Sequence, residues 1–188
     1  QQEFLTKYPA IDCFIEFEGE MPFVELFRTL ETVDFHWNEY KEFRLTTSNI
    51  RYMRNHEIIV GDLTTKVKSL NDLPSPYLTG ISDKFFNDTL IPMIQTTRGC
   101  PYSCTFCWEG GDYFQKTTRF DTDRIARELN YIAHRVKQLP DLIITDANFG
   151  MFKQDIETAQ EIANIKKRHH NNWPQAIMTS TAKNHKER

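Results

Sequence analysis

Residues 90–108 read Leu-Ile-Pro-Met-Ile-Gln-Thr-Thr-Arg-Gly-Cys-Pro-Tyr-Ser-Cys-Thr-Phe-Cys-Trp, and this stretch decides how the rest of the chain is interpreted. Its apolar beginning predicts a strand over residues 90–97. Three cysteines follow almost at once, Cys100, Cys104 and Cys107. In parallel α/β folds the chemistry is concentrated in the loops after the carboxyl ends of the strands. The sequence therefore predicts a functional loop directly behind a strand.

Helices and strands alternate beyond this loop. Apolar residues at helical spacing predict helices over 121–139 and from about 155 to 169, and apolar runs predict strands over 142–145 and 176–179. Such alternation indicates right-handed βαβ units with a parallel sheet, hence an α/β fold. An eight-unit barrel needs about 250 residues, or roughly 30 per unit. Residues 90–188 are therefore expected to hold three units and to stop partway through a second domain.

The part of the chain before this sheet is less regular. A strand is predicted over 10–15, an acidic turn over 16–20, and a helix that opens at Pro22, where a missing N–H is tolerated. A small hairpin is predicted around Asn55 and His56, and the two prolines within 71–77 indicate an extended connector. We expect a domain end at 1–35, a linker with this hairpin at 36–85, and a second domain at 86–188.

The three clustered cysteines indicate a metal site. Thiolates favour iron-sulfur clusters or zinc, and three of them on one short loop can bind three corners of a cubane and leave the fourth iron open. A structural zinc is normally closed by four ligands and would need Cys13 or a histidine in addition. This alternative stays open. The cysteine distribution does not suggest a secreted disulfide framework.

The run from Arg98 to Cys107 resembles the signature of the radical S-adenosylmethionine superfamily, CxxxCxxC with an aromatic residue before the last cysteine. The resemblance implies that Cys100, Cys104 and Cys107 ligate a 4Fe-4S cluster, and that Phe106 lies near the adenine of S-adenosylmethionine.

A second motif, Asp146-Ala147-Asn148-Phe149-Gly150, stands where that family often has Gly-Gly-Glu after its second strand. It resembles the form found in the cobalamin-associated branch. By this resemblance Asp146 and Asn148 contact S-adenosylmethionine. The competing interpretation is a plain turn into the next helix.

The segment Phe17-Glu18-Gly19-Glu20 and the helix after it resemble the end of the Rossmann-like cobalamin-binding domain of the same branch, with Phe17 where a glycine is usual. This implies that Glu18, Gly19 and Glu20 lie near cobalamin; an acidic surface turn is the alternative. The fold implied is α/β: an incomplete radical S-adenosylmethionine (β/α) partial TIM barrel with its first three βα units, preceded by the C-terminal end of the cobalamin domain and a linker.

The resemblance implies an enzyme that reductively cleaves S-adenosylmethionine to a deoxyadenosyl radical and, with cobalamin, transfers a methyl group to an unactivated centre. One alternative within the branch is a cyclase or rearrangement enzyme without methyl transfer. From another class, the alternative is a non-catalytic iron-sulfur electron-transfer or metal-binding module, which a fourth cysteine ligand nearby would favour.

Charge and hydropathy limit the partners. With 23 basic and 26 acidic residues the formal net charge is −3, so a nucleic acid is not expected. No apolar stretch reaches the ~20 residues of a membrane span, and we expect a cytoplasmic protein. The family resemblance adds a substrate that is a small molecule or of unknown kind, and a reducing partner such as flavodoxin or ferredoxin.

Overall fold

The structure is a computed structural model that describes residues 2–64, 67–169 and 173–181. It separates into two units, Gln1–Lys68 and Ser69–Arg188. The assignment of 1–35, 36–85 and 86–188 to domains of a longer protein stays a prediction. In chain order the helices and strands are α1 (Gln2–Lys7), β1 (Phe14–Ile15), α2 (Glu20–Glu31), α3 (Trp37–Glu42), β2 (Ile50–Arg54), β3 (Glu57–Val60), β4 (Met93–Ile94), β5 (Thr97–Arg98), α4 (Asp112–Gln115), β6 (Thr118–Arg119), α5 (Thr122–Ala133), β7 (Asp141–Phe149), α6 (Lys153–Arg168) and β8 (Ala176–Thr181).

The first unit contains an antiparallel sheet in the order β1-β2-β3. Asn55 and His56 connect β2 to β3 with φ of 46° and 65°, the left-handed conformation that a two-residue hairpin turn requires. The hairpin lies where the sequence predicts one. Strand β1 is shorter than the predicted 10–15, because the backbone N–H of Ile11 bonds to the carbonyl of Tyr8 in a turn after α1.

The sequence pattern predicts one apolar face of α2 formed by Phe23, Leu26, Phe27 and Leu30, but the structure does not bury this face as a whole. Pro22 and Leu26 are buried, whereas Phe23 and Phe27 are 57% and 47% exposed. The buried side packs against the sheet and α3 in a core that consists of Leu26, Val33, Tyr40, Ile50, Tyr52 and Ile59.

The second unit contains a parallel sheet in the order β4-β7-β8. Leu142 and Ile144 of β7 are fully buried and pack with α5 and α6 in one core. The helical stripe predicted for α5 is confirmed, since Ile125, Leu129 and Ile132 all belong to that core. The α/β fold class is confirmed for this unit.

Three element boundaries differ from the predictions. Helix α5 ends at Ala133 rather than at residue 139, and the chain turns there, with the N–H groups of Arg135 and Val136 both bonded to the carbonyl of Ile132. Strand β7 continues through Phe149 rather than ending at residue 145, so the motif 146–150, for which a plain turn is the competing interpretation, lies mostly inside a strand. Strand β4 keeps only two residues of the predicted 90–97, because the chain then forms a separate ribbon, β5 with β6.

Helix α6 buries polar residues on its inner side. Asp155 and Thr158 are buried together with Ile162 and Ile165, whereas Ile156, which the apolar pattern includes, is 69% exposed. Among the described residues, none of the helices has the length and apolar content needed to traverse a lipid bilayer.

Candidate functional site

The cysteine loop, defined here as residues 99–117, is closed at its base. Strand β5 precedes it and β6 follows it, and the two pair antiparallel, with Thr97 opposite Arg119 and Arg98 opposite Thr118. The backbone N–H of Cys100 donates to the carbonyl of Phe114 at 2.8 Å. This hydrogen bond holds the backbone of Cys100 against the far end of the loop.

Two glycines allow the loop to pack on its own backbone. A Cβ at Gly99, whose φ is +94°, would lie 2.6 Å from the carbonyl oxygen of Phe114. A Cβ at Gly110 would lie 2.2 Å from the carbonyl oxygen of Cys104. Real Cβ atoms do not approach backbone this closely, so both positions require glycine in this conformation.

The three cysteines of the loop differ in exposure. Cys100 is buried, Cys104 is half-buried and Cys107 is exposed, and none of them is in a disulfide. The backbone N–H of Cys107 donates to the carbonyl of Cys104 at 3.1 Å, which forms a turn between these two residues. The side-chain amide Nδ2 of Asn148 donates to Sγ of Cys100 at 3.0 Å.

The cysteine loop fits an iron-sulfur cluster in its donor chemistry. It offers three reduced thiols, which are the ligands such clusters take, on a loop whose backbone is pinned at Cys100 and Cys104. Within the described residues, however, no three His, Cys, Asp or Glu side chains are grouped closely enough to hold a metal ion. Ligation by Cys100, Cys104 and Cys107 therefore stays a prediction, in which the side chains converge when the metal binds.

Two aromatic side chains of the loop are almost fully exposed. Phe106 is 91% and Trp108 is 83% accessible. Both lie next to the predicted ligand Cys107 in sequence. Phe106 is therefore available to stack on a ligand, and its predicted position near an adenine remains untested.

Asp146 is engaged by the protein itself. It is 3% exposed, and its Oδ1 accepts a hydrogen bond from the backbone N–H of Thr96 at 2.7 Å, while its Oδ2 accepts one from the hydroxyl of Thr96. Burial raises the pKa of this carboxyl above its ordinary value, and the hydrogen bonds from Thr96 partly oppose the rise. The carboxylate thus joins β7 to the segment after β4. Its predicted contact with S-adenosylmethionine stays a prediction.

An ion pair near Asp146 joins the partly buried Arg119 to the buried Asp155, and the sequence pattern does not predict it. Arg119 of β6 donates through Nη2 to Oδ1 of Asp155, which is 2% exposed, and the guanidinium lies 4.6 Å from the ring centre of Phe152. The other oxygen of Asp155 accepts from the backbone N–H groups of Gly150 and Phe152 at 2.8 and 2.9 Å. The pair therefore connects the end of the cysteine loop to the turn that follows β7.

The only local signal for this contact is Asp155 three residues after Phe152, a spacing that suits a helix N-terminus. Arg119 carries no signal, because its partner lies 36 residues away in sequence.

The predicted cobalamin turn lies at the start of α2 in the first unit. Gly19 precedes the helix with φ of −93°, and a Cβ there would meet only ordinary contact at 3.9 Å, so glycine is not required at this position. Glu18 accepts a hydrogen bond from the backbone N–H of Val67 at 3.2 Å, and Glu20 is the first residue of the helix. Phe17 has φ of 66°, the conformation that favours glycine, so the turn keeps the backbone expected of a glycine. A role near cobalamin stays a prediction.

Comparison with known proteins gives related sequences over nearly the whole chain. No protein-family profile matches it. The chain is 30% identical over 196 residues to TokK of Streptomyces tokunonensis, named a cobalamin-dependent radical SAM methyltransferase, and this alignment covers 98% of the chain and 26% of TokK. It is also 30% identical over 192 residues to 2-(S-pantetheinyl)-carbapenam-3-carboxylate methyltransferase of Streptantibioticus cattleyicolor, over 99% of the chain and 27% of that protein.

The fold has a counterpart among solved structures. The cobalamin-dependent S-adenosylmethionine radical enzyme OxsB, with aqua-cobalamin bound, matches 95% of the chain with a TM-score of 0.59 at 21% sequence identity, over 23% of OxsB. At this identity the match shows the fold alone. The chain spans about a quarter of the length of these relatives.

Proposed function

This chain belongs to the cobalamin-dependent branch of the radical S-adenosylmethionine superfamily, and we propose on that premise that it holds a 4Fe-4S cluster through Cys100, Cys104 and Cys107 and takes part in methyl transfer to an unactivated centre. The observation that carries the proposal is the closed cysteine loop, with three free thiols and a backbone that only glycine at 99 and 110 permits.

A reduced cluster held by Cys100, Cys104 and Cys107 would supply one electron for cleavage of S-adenosylmethionine into methionine and a deoxyadenosyl radical, which would abstract hydrogen from the substrate. The residues of this chain bind and orient the cluster and S-adenosylmethionine. The loop backbone fixes Cys100, the exposed ring of Phe106 offers a surface for the adenine, and the buried Asp146 holds β7 against the segment that leads into the loop. In the proposal, Glu18, Gly19 and Glu20 lie at the tail of cobalamin, and a small flavodoxin or ferredoxin delivers the electron.

The proposed barrel explains where the loop lies. The parallel order β4-β7-β8, with α5 and α6 on one face, is the arrangement expected of the first three βα units. The cysteine loop and the end of β7 meet through the contact between Asn148 and Cys100. The cysteine loop follows β4 and β5, and Asn148 lies near the carboxyl end of β7. The carboxyl ends of the strands are where barrel enzymes place their chemistry.

The first test is cluster binding by the full-length protein. Anaerobic reconstitution is expected to give about four irons per chain and reductive cleavage of S-adenosylmethionine. Both are expected to be lost in Cys104→Ala, because three thiolates are needed to hold the cubane. Cys13→Ala is the matched control: Cys13 packs beside the core of the first unit, where burial raises its pKa, and we expect this variant to keep its iron. Cleavage that persists in Cys104→Ala, or iron that depends on Cys13, would contradict the proposal.

Methyl transfer and rearrangement differ in their products. In the full-length protein with cobalamin and a substrate, methyl transfer from S-adenosylmethionine labelled in its methyl group predicts label in the product, and S-adenosylhomocysteine beside deoxyadenosine. A rearrangement predicts deoxyadenosine with unlabelled product. The names of both sequence relatives favour methyl transfer.

A further inference from the structure

The contact between Asn148 and Cys100 joins two segments that are 48 residues apart. Asn148 lies near the end of β7 and is half-buried, and Cys100 is the buried cysteine of the loop. A side-chain amide offers two N–H donors, and one of them points at the sulfur from 3.0 Å. Within the described part of the chain, this is the one loop sulfur that accepts a hydrogen bond from a side chain.

Contacts at the end of β7 hold Asn148, the donor, in place. Directly after β7, Gly150 adopts φ of +84°, and its N–H is bonded to the buried carboxylate of Asp155. Asp155 is in turn paired with Arg119, which belongs to the ribbon at the base of the cysteine loop. The same ion pair thus ties the end of β7, and with it Asn148, to the loop that carries Cys100.

The acceptor, Cys100, is held by its own backbone contact. The backbone N–H of Cys100 is bonded to Phe114, and Gly99 immediately before it allows the close approach to the same carbonyl. Donor and acceptor are therefore each positioned by contacts other than the hydrogen bond between them. A hydrogen bond between two pre-positioned groups loses little conformational entropy when it forms.

Hydrogen bonds to a ligating sulfur have a defined effect on a cluster. They withdraw negative charge from the thiolate and stabilise the reduced form, which carries one more electron, so they raise the reduction potential. The effect is largest where water is excluded, and Cys100 is 9% exposed.

We propose that Asn148 is a positioning residue that donates a hydrogen bond to the sulfur of Cys100 and thereby raises the reduction potential of the cluster. This inference rests on the proposed function, since it requires that Cys100 ligate the cluster. It assigns to Asn148 a role toward the sulfur, in addition to the contact with S-adenosylmethionine that the family resemblance implies.

The test is a redox titration of the full-length, reconstituted protein in the absence of S-adenosylmethionine. Electron paramagnetic resonance measures the fraction of reduced cluster at each potential. Asn148→Leu keeps the approximate size of the side chain and removes the donor. At a fixed potential we expect about a tenfold lower ratio of reduced to oxidised cluster than in the wild type, which corresponds to a midpoint ~59 mV more negative for a one-electron couple. Asn148→Gln keeps an amide donor and is expected to recover part of this shift.

The matched control is Thr145→Val on the same strand. It removes the hydrogen bond from the Thr145 hydroxyl to the carbonyl of Ile94, 3.1 Å long, without touching Cys100, and we expect the wild-type midpoint. If Asn148→Leu does not retain iron, Asn148→Ala, which has no amide proton and adds no charge, takes its place in the comparison.

Different outcomes would contradict the proposed function and the role of Asn148. A wild type that binds no cluster overturns the proposed function and the inference with it. A wild type that binds a cluster whose midpoint is unchanged in the donor-free variant overturns the inference alone. Equal shifts in Asn148→Leu and Thr145→Val would also overturn it, because they would indicate a general loosening of β7.

Discussion

Asp146 shows at the scale of one residue how burial and hydrogen bonding compete. Removal from water penalises the carboxylate, whereas the backbone and hydroxyl groups of Thr96 stabilise it. Burial is the larger effect, with a smaller contribution from the nearby Asp155, so the pKa of Asp146 is raised in the folded state. A carboxyl of this kind makes the folded protein less stable as it ionises.

The pH dependence of stability follows from that sign. An acid whose folded pKa exceeds its unfolded value contributes stability that is complete below the unfolded value, here 3.8, and is lost as the pH rises through the raised folded pKa. The amide introduced by Asp146→Asn does not titrate, so we expect the free energy of unfolding of this variant to gain on the wild type as the pH rises through that range. Urea unfolding at a series of pH values measures the difference, and a constant difference at all pH values would contradict the expectation.

The residue-scale contacts of the site are only partly accessible from the sequence. The three cysteines and Phe106 can be identified because they follow one another in a short motif. The pairing of Arg119 with Asp155 and the approach of Asn148 to Cys100 cannot, because each joins residues far apart in sequence. The position of Asp155 at the start of α6 is the one local signal, and it does not identify Arg119 as the partner.

At the scale of an element, the cysteine loop depends on close backbone packing. Gly110→Ala would place a Cβ 2.2 Å from the carbonyl oxygen of Cys104, and a backbone atom cannot yield as a flexible side chain can. We expect a loss of about 1–3 kcal/mol in stability and less iron retained after reconstitution.

The neighbouring glycine provides a matched control for this loop. Gly111 has φ of −73°, and a Cβ there would meet only the carbonyl oxygen of Trp108 at 3.9 Å. We expect Gly111→Ala to change stability by no more than about 0.5 kcal/mol and to keep the wild-type iron content. Equal losses in both variants would show that the close approach at Gly110 is not the cause.

The helices and strands themselves are predicted better than their ends. Residues Ile125, Leu129 and Ile132 follow a 3.6-residue period, and the structure buries all three. The predicted end of α5, length of β7 and orientation of α2 are wrong, because they depend on contacts with other elements. The aromatic residues of α2 illustrate this, since the sequence pattern alone does not say which part of an apolar helix surface meets the sheet.

At the scale of the whole molecule, the two units have separate cores. The core of the second unit is built around α5, β7 and α6, and that of the first around Tyr40 and Tyr52, with no residue in common among those described. Units with their own cores commonly unfold as units. A core substitution in one unit is therefore expected to destabilise that unit and to leave the stability of the other unit unchanged.

Leu129→Ala tests this expectation. Leu129 is fully buried in α5, and its truncation is expected to cost about 2–5 kcal/mol. Hydrogen exchange is expected to speed up in β7 and α6 while the amides of the β2–β3 hairpin keep their protection. Ile156→Ala, at a site 69% exposed, is the control and is expected to change little. A loss of protection in both units would contradict separate cores.

The ribbon that joins Thr97 to Arg119 and Arg98 to Thr118 brings both ends of residues 99–117 to one place on the sheet. The β5–β6 ribbon is the stem of this segment, because its pairing holds the two ends together. The entropic cost of closing a loop depends only weakly on the number of residues in the loop. The segment can therefore be treated as a cassette: an equivalent stretch from a relative, even one of different length, could be transplanted onto the same stem while the parallel strands beneath stay as they are.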